Sequence, residues 1–162
     1  SFSPGDFRIQ LVKRIVKEID RSNDLLKRFF NFARPSKPKQ DFYDIEMIID
    51  GVYLLMAPRF KKKNIKFKTD FSDDIPQVYI DESQIEQVVL NLFLNAVEAL
   101  GKNGEIMVST SLRTDEKILP QGKNDGAICV HIRDNGCGIP KEELEKIFNP
   151  FYTTKKTGTG LG

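Results

Sequence analysis

The chain has 162 residues, of which 40% are hydrophobic and 30% are charged, and its formal net charge is +2. This composition suits one compact domain with an extension, and the chain is long enough to bury a core. The near-balanced charge argues against nucleic acid or a membrane surface as a partner, and no apolar run approaches the roughly 18–20 residues of a membrane span.

The cysteines and the single histidine do not indicate a metal site. Cys129, His131 and Cys137 match no common zinc spacing. Two cysteines are too few for a disulfide framework, so we expect a reducing, cytoplasmic location, with any membrane anchor elsewhere in a longer parent protein. His131 lies in an alternating run and is interpreted as a strand residue rather than a ligand or phosphate acceptor.

A long amphipathic helix is predicted at the start of the chain. Ser3 is the expected N-cap and Pro4 the first helical residue. A heptad seam follows at Val12, Ile15, Ile19, Ser22, Leu26, Phe29 and Ala33. The helix is expected to end before Pro35, because proline cannot continue it. Two interpretations stay open: the helix packs on its own domain, or it is half of a dimerising helical hairpin.

Strands and helices alternate after the prolines. Alternating residues predict strands near 41–43, 65–69, 78–80, 106–112 and 128–132, with a polar loop at 115–126. Helices are predicted at about 44–62, 83–100 and 141–148. The order β-α-β-β-α-β-β-α predicts an α/β fold, a two-layer sandwich whose mixed sheet carries helices on one face, preceded by one long helix.

The apolar faces of the two longer helices follow from their periodicity. In the helix at 44–62 the predicted apolar face comprises Ile45, Ile48, Ile49, Val52, Leu55 and Met56. In the helix at 83–100, which Gly101 closes, it comprises Ile85, Val89, Leu92 and Ala96.

An acidic residue comes directly after the last predicted strand, in the sequence Asp134-Asn135-Gly136-Cys137-Gly138-Ile139-Pro140. A carboxylate only accepts hydrogen bonds, and adenine offers an amine where guanine has a carbonyl, so Asp134 there would favour adenine. Gly136 and Gly138 allow a base to approach the backbone closely. By itself the Asp-Asn-Gly sequence is better explained as a tight turn; the motifs further along the chain favour a nucleotide site.

Two asparagines lie four residues apart in the helix at 83–100. Asn91 and Asn95 therefore share one face, with Glu98 one turn further on. Asparagine is a poor residue inside a helix, and its amide oxygen is a hard, neutral ligand suited to Mg²⁺. On spacing alone, two solvated asparagines are an equally good interpretation.

The end of the chain has the features of a phosphate-binding lid. Thr153-Thr154-Lys155 offers two hydroxyls and an ammonium, and Gly158-Thr159-Gly160-Leu161-Gly162 can turn backbone N–H groups toward an anion. Phe148 and Phe151 are expected to anchor this segment by packing on the domain, although they could equally be ordinary core aromatics. A glycine-rich run is equally a flexible linker, and no Walker sequence is present.

Together these motifs resemble the family that groups sensor histidine kinases with the gyrase, Hsp90 and MutL ATPases. In that family's terms, residues 91–96 match the N box, 134–139 the G1 box, 148–151 the F box and 158–162 the start of the G2 box. Residues 1–35 are similar to the second helix of the kinases' dimerisation and phosphoacceptor hairpin. Residues 36–162 then correspond to the ATP-binding catalytic domain, truncated within the glycine-rich lid.

The resemblance implies a Bergerat-type ATP-binding fold with ATP and Mg²⁺ as cofactors. Asp134 would bind adenine, Asn95 the metal, and Lys155 with the glycine lid the phosphates, while Asn91 and Lys155 would be the catalytic residues. The implied nucleotide-binding set is Asn95, Asp134, Gly136, Gly138, Ile139, Phe151, Thr153, Thr154, Lys155, Gly158, Thr159, Gly160, Leu161 and Gly162.

The hydrolysing ATPases of that family have a glutamate where Asn91 stands, and an amide cannot act as general base on water. The resemblance therefore implies a protein-histidine kinase that transfers the γ-phosphate of ATP to a histidine on a helical phosphoacceptor domain, for relay to a response regulator. The full protein is expected to be a homodimer, and this fragment, without the phosphoacceptor histidine, to be inactive alone. The alternatives are an ATPase of the same fold and a non-catalytic nucleotide-binding or scaffolding module.

Overall fold

The computed structural model describes residues 7–16, 18–19, 37–113, 126–155 and 160. Residues 7–16 and 18–19 are helical and are termed α1. The following elements are β1 (Asp41–Tyr43), α2 (Ile45–Lys63), β2 (Lys66–Asp70), β3 (Val78–Ile80), α3 (Glu82–Leu100), β4 (Glu105–Arg113), β5 (Ala127–Asp134) and α4 (Lys141–Leu144). After α1, this is the predicted β-α-β-β-α-β-β-α order, and the α/β class with a mixed sheet is confirmed.

The chain divides into two compact units. The central unit comprises Pro38–Lys141 with Gly162, and the terminal unit comprises Ser1–Lys37 and Glu142–Leu161. Among the described residues, the central unit holds two sheets. One has the order β2-β4-β5, with β2 parallel and β5 antiparallel to β4, and the other pairs β1 with β3 antiparallel.

The core of the central unit lies between α2, α3 and the mixed sheet. In β4 the buried residues Ile106, Val108 and Thr110 alternate with more exposed ones, as a strand with one covered face requires. Ring contacts link the layers: Phe93 of α3 lies 5.9 Å from Phe60 of α2 and 5.6 Å from Phe67 of β2, measured between ring centroids. Tilted and edge-on arrangements such as these are the favourable geometries for aromatic pairs.

Both long helices begin at an aspartate cap and end at a defined stop. The Asp44 carboxylate accepts from Glu46 N at 2.9 Å at the start of α2, and the Asp81 carboxylate accepts from Gln84 N at 3.1 Å at the start of α3. Helix α2 stops at Asn64, which has a left-handed φ of 54°. At the other end of this helix pair, Lys63 Nζ donates to the carbonyl of Val97, which is one of the last carbonyls of α3.

The predicted helix faces need correction. Leu55 is 69% exposed and Leu92 is 45% exposed, so neither belongs to the core. The residues buried in α2 are Ile45, Ile48, Ile49, Val52, Met56 and Phe60, and those in α3 are Val89, Phe93, Ala96 and Val97. Helix α3 carries apolar residues around most of its circumference, so periodicity left its inner face undetermined and the packing against the sheet selected it.

The last helix is shorter than predicted. Helix α4 ends at Leu144, and residues 145–148 continue as turns in which Lys146 N and Ile147 N both donate to the carbonyl of Glu143. The predicted end of this helix at residue 148 is therefore corrected to Leu144.

Helix α1 agrees with its prediction where it is described. Val12, Ile15 and Ile19 of the predicted seam are helical and between 50% and 58% exposed. The predicted cap Ser3 and the remaining seam residues from Ser22 to Ala33 lie outside the described residues. Throughout the described ranges, no helix combines the length and the apolar character that crossing a membrane requires.

Candidate functional site

Asp134 lies at one end of the mixed sheet, on the face that carries the helices. It is the last residue of β5, not the first residue after the strand as predicted, and it pairs in register with Ile106. Directly opposed residues of an antiparallel pair project from the same face, and Ile106 is fully buried in the core beneath the helices. The exposed Asp134 carboxylate therefore belongs to the helix side, where its Oδ1 accepts from Gly136 N at 2.8 Å.

The loop after Asp134 packs directly on α3. A Cβ added at Gly136 would lie 2.9 Å from both the carbonyl carbon and the Cβ of Ala99, and 2.7 Å from the Asp134 Oδ1. Cys137 N donates to the Ala99 carbonyl at 3.4 Å, which fastens the loop to the last turn of the helix. Gly136 is therefore required by close helix–loop packing, whereas Gly138 has open space around it and a φ of +70° that favours glycine.

The same contact brings the two asparagines and the loop to one side of the central unit. Ala99 lies four residues after Asn95 and eight after Asn91, so the three share one face of α3, which we term the asparagine stripe. With a rise of about 1.5 Å per residue, Asn95 lies about 6 Å and Asn91 about 12 Å along the helix axis from the loop contact. Asn95 is exposed, and the Asn91 Oδ1 accepts from Gln87 Nε2 at 3.0 Å.

The described lid residues, 151–155 and 160, belong to the terminal unit. Phe151 has a φ of 68° and its N–H donates to the carbonyl of Gly160 at 2.7 Å, while a Cβ on Gly160 would overlap the Phe151 backbone. The Tyr152 hydroxyl donates to the Glu143 carboxylate, and this hydrogen bond is the main cause that raises the pKa of Tyr152. Lys155 N donates to the Thr153 hydroxyl at 3.1 Å.

The structure corrects the predicted packing of Phe148 and Phe151 on the domain. Phe148 is 89% exposed and Phe151 is 58% exposed, so neither is packed as the predicted anchor requires. Ile139, Thr153, Thr154 and Lys155 are exposed as well. Gly158, Thr159, Leu161 and Gly162 of the predicted phosphate-binding set lie outside the described residues.

The cysteines and the histidine do not form a metal site in the described part of the chain. His131 is in β5 opposite Ser109, as its alternating pattern predicted, and Cys129 is opposite Ser111. Cys129 and Cys137 are both free thiols. Within the part of the chain that the structure describes, no group of three or more His, Cys, Asp or Glu side chains could hold a metal ion.

Sequence reasoning missed two residues of this region. Ala99 contacts the loop after Asp134 through its Cβ and its backbone carbonyl. Its position one turn after Asn95 on the same helix face was the sequence feature that could have indicated this contact. Asn135 binds the first residue of β4 through its side chain, since its Oδ1 accepts from Glu105 N at 2.8 Å. Nothing in the sequence distinguishes this asparagine from one that merely favours a turn.

Comparison with known proteins identifies the family to which the chain belongs. Residues 80–162 match the family described as histidine kinase-, DNA gyrase B- and HSP90-like ATPase. The sensor histidine kinase ZraS of Escherichia coli O157:H7 is 30% identical over 153 residues, which cover 94% of this chain and 31% of that protein. The chain therefore spans less than a third of that curated relative.

Two solved structures have the same fold and more than a quarter of residues identical. The catalytic domain of histidine kinase ThkA matches with a TM-score of 0.64 at 34% identity, covering 76% of this chain and 74% of that one. ThkA in complex with response regulator protein TrrA matches with a TM-score of 0.72 at 27% identity, covering 94% of this chain and 42% of that one. The chain belongs to the histidine kinase-, DNA gyrase B- and HSP90-like ATPase family and contains an ATP-binding catalytic domain of the sensor histidine kinase type.

Proposed function

We propose that the chain is the catalytic part of a sensor histidine kinase that transfers the γ-phosphate of ATP to a histidine on a helical phosphoacceptor domain. The observation that carries this proposal is the contact of Gly136 and Cys137 with Ala99. This contact fixes the loop that follows Asp134 at one end of the stripe of α3 that carries Asn95 and Asn91, and Asn91 lies about 12 Å along the helix axis from the contact. That is the order of the distance between the base and the terminal phosphate of an extended nucleotide.

Adenine recognition is assigned to Asp134. A carboxylate has about four lone-pair sites and no donor when ionised, so it can accept from the adenine amine and repels the guanine carbonyl. One of its oxygens already accepts from Gly136 N, which orients the group and leaves further acceptor sites. Gly136, Gly138 and Ile139 form the loop against which the base would lie.

Metal binding is assigned to Asn95. Its exposed amide on the stripe supplies the hard, neutral oxygen that suits Mg²⁺, an ion that keeps several waters and takes phosphate oxygens as ligands. Such an ion needs no cage of several protein carboxylates. When bound, Mg²⁺ would neutralise charge on the transferring phosphate.

The phosphates are assigned to the lid, as the family resemblance implies. Lys155 supplies a positive charge, and Thr153 and Thr154 supply hydroxyl donors. The remaining lid residues of the proposed set are Phe151, Gly158, Thr159, Gly160, Leu161 and Gly162. Exposed hydroxyls and an ammonium suit an anionic ligand, and glycines let backbone N–H groups point at it.

Asn91 favours transfer to a protein over hydrolysis. Its side chain is an amide that accepts from Gln87, and an amide cannot remove a proton from water. The chain's own residues would therefore position the nucleotide and stabilise charge, while the acceptor histidine attacks the phosphorus. An ATPase of the same fold would need a general base at this position.

The domain organisation and partners follow from the same assignment. We propose that residues 1–35 are the second helix of a dimerisation and phosphoacceptor hairpin and that residues 36–162 are the catalytic domain of a homodimeric, cytoplasmic kinase module. The relative ThkA was crystallised with a response regulator, which supports a receiver domain as the downstream partner.

Asp134→Asn provides the sharpest test of the adenine assignment. The asparagine keeps an oxygen that can accept from Gly136 N, so the turn should persist while the charge is lost. ATP affinity should fall by about 1–3 kcal/mol, the scale of a hydrogen bond to a charged group, with little change in melting temperature. Calorimetry should also show that the wild-type chain prefers ATP to GTP, and equal affinities would contradict the assignment.

Phosphotransfer is tested with labelled ATP and the parent protein's phosphoacceptor domain added separately. The chain alone should neither label itself nor release phosphate, and acid-labile label should appear on the added domain. Asn95→Ala should abolish that label. Rapid phosphate release without an acceptor would favour the ATPase alternative, and nucleotide binding without either reaction would favour a scaffolding module.

A further inference from the structure

The residue after Asp134 ends strand β5 in an unusual way. The register Ile106 to Asp134 places Glu105 opposite Asn135 as the next pair. In a regular hydrogen-bonded antiparallel pair the two residues exchange both backbone bonds. Here Asn135 N donates to the Glu105 carbonyl at 3.3 Å, but Glu105 N donates to the side-chain Oδ1 of Asn135 at 2.8 Å. The side-chain amide replaces the backbone carbonyl of Asn135 in the ladder.

Because the Asn135 side chain accepts from Glu105 N, the backbone can turn away from the sheet while that N–H keeps a hydrogen-bond partner. Within one residue the chain reaches Gly136, whose position against Ala99 has no room for a Cβ, and the next N–H binds the Ala99 carbonyl. Asp134 is therefore followed directly by two attachments, that of Asn135 to Glu105 in the sheet ladder and that of Cys137 to Ala99 in the helix. The Asp134 carboxylate accepts from Gly136 N, which lies between these two attachments, so its direction depends on the path they impose on the loop.

We propose that Asn135 is a positioning residue for base recognition. Its side-chain amide ends β5 and holds the Asp134 carboxylate in the orientation that selects adenine, without itself acting on the phosphates. This inference rests on the proposed nucleotide-binding function. It predicts that the acceptor atom at position 135 matters because it bonds Glu105 N, and that base selectivity is what suffers when the acceptor is removed.

The test compares Asn135→Ala, which removes the acceptor, with Asn135→Asp, which keeps one. Asn103→Gly is the matched control, because Asn103 is also exposed and also precedes a glycine, but its Oδ1 accepts from Asn64. Glycine tolerates the left-handed φ of 58° at this position, so the variant removes the side chain without straining the backbone. Calorimetry with Mg²⁺-ATP and Mg²⁺-GTP gives the ratio of the two affinities for each variant. Hydrogen exchange at the Glu105 amide reports directly on the bond that Asn135 supplies.

Asn135→Ala should lower ATP affinity roughly 3–10-fold, the scale of one hydrogen bond, with little change in GTP affinity, so that the ratio falls. Exchange at Glu105 should accelerate. Asn135→Asp should retain slow exchange at Glu105 and more of the ATP preference than Asn135→Ala does. Asn103→Gly should keep the wild-type ratio of ATP to GTP affinity.

If Asn135→Ala weakens ATP and GTP binding by the same factor, or weakens neither, the ratio of the two affinities is unchanged and the positioning role is overturned. With a wild-type chain that clearly prefers ATP, this outcome overturns this inference alone. A wild-type chain without any preference for ATP would overturn the proposed adenine site and this inference with it.

Discussion

Gly136→Ala tests whether contact between the loop and α3 organises the nucleotide site. The added Cβ would lie 2.9 Å from two atoms of Ala99, one of them the backbone carbonyl carbon. The Asp134 side chain can rotate away, but the Ala99 backbone is inside a hydrogen-bonded helix and cannot. Since carbon atoms settle at about 3.5–4.0 Å, the loop must move outward by roughly 0.6–1.1 Å.

That displacement should be felt in binding more than in folding. The bond from Cys137 N to the Ala99 carbonyl is already 3.4 Å long, so an outward movement of this size breaks it. Overpacking of this kind costs about 1–3 kcal/mol. If the strain is relieved by moving the loop, ATP affinity should fall by about 5–150-fold, because about 1.4 kcal/mol corresponds to a factor of ten.

Calorimetric titration with Mg²⁺-ATP measures this change, with Gly51→Ala as the matched control. Gly51 lies in α2 with nothing within 4 Å of an added Cβ, so its replacement should leave binding unchanged and stabilise the helix by about 0.5–1 kcal/mol. Adding Ala99→Gly to Gly136→Ala should restore part of the affinity, since it removes one of the two close atoms. Wild-type affinity in Gly136→Ala would refute the proposed role of the contact.

Two further predictions concern stability. Met56→Ala should lower the free energy of unfolding by about 2–5 kcal/mol in urea denaturation, because Met56 is 2% exposed, whereas Leu55→Ala at a 69% exposed position should change it by less than about 0.5 kcal/mol. The pKa of Asp81 is lowered from 3.8, first by the hydroxyl of Ser83 and then by the backbone N–H of Lys39. The Asp81 carboxylate therefore stabilises the fold fully above pH 3.8, and this stabilisation is lost as the pH falls through the lowered pKa. Asp81→Asn keeps a helix cap but cannot ionise. Its free energy of unfolding, measured by urea denaturation at several pH values, should therefore lack this part of the decrease in acid.

The sequence by itself determined the order of the elements and the chemistry available to the site. Strict alternation at Ile106, Val108 and Thr110 has only one structural solution, a strand with one covered face, and the structure has it. The end of α3 before Gly101 was likewise predictable from the sequence, because glycine commonly follows the last residue of a helix. These features depend on neighbours within a few residues, which is why a linear pattern suffices to predict them.

Only the tertiary structure decided which faces meet. Periodicity placed Leu92 in the core, but packing against the sheet buried Phe93 instead, because α3 offers apolar side chains on several sides. The contact between Gly136 and Ala99 joins residues 37 positions apart, and the bond between Asn135 and Glu105 joins residues 30 positions apart. Such contacts depend on the register of β4 with β5 and on the rotation of α3 over the sheet, which no local pattern specifies.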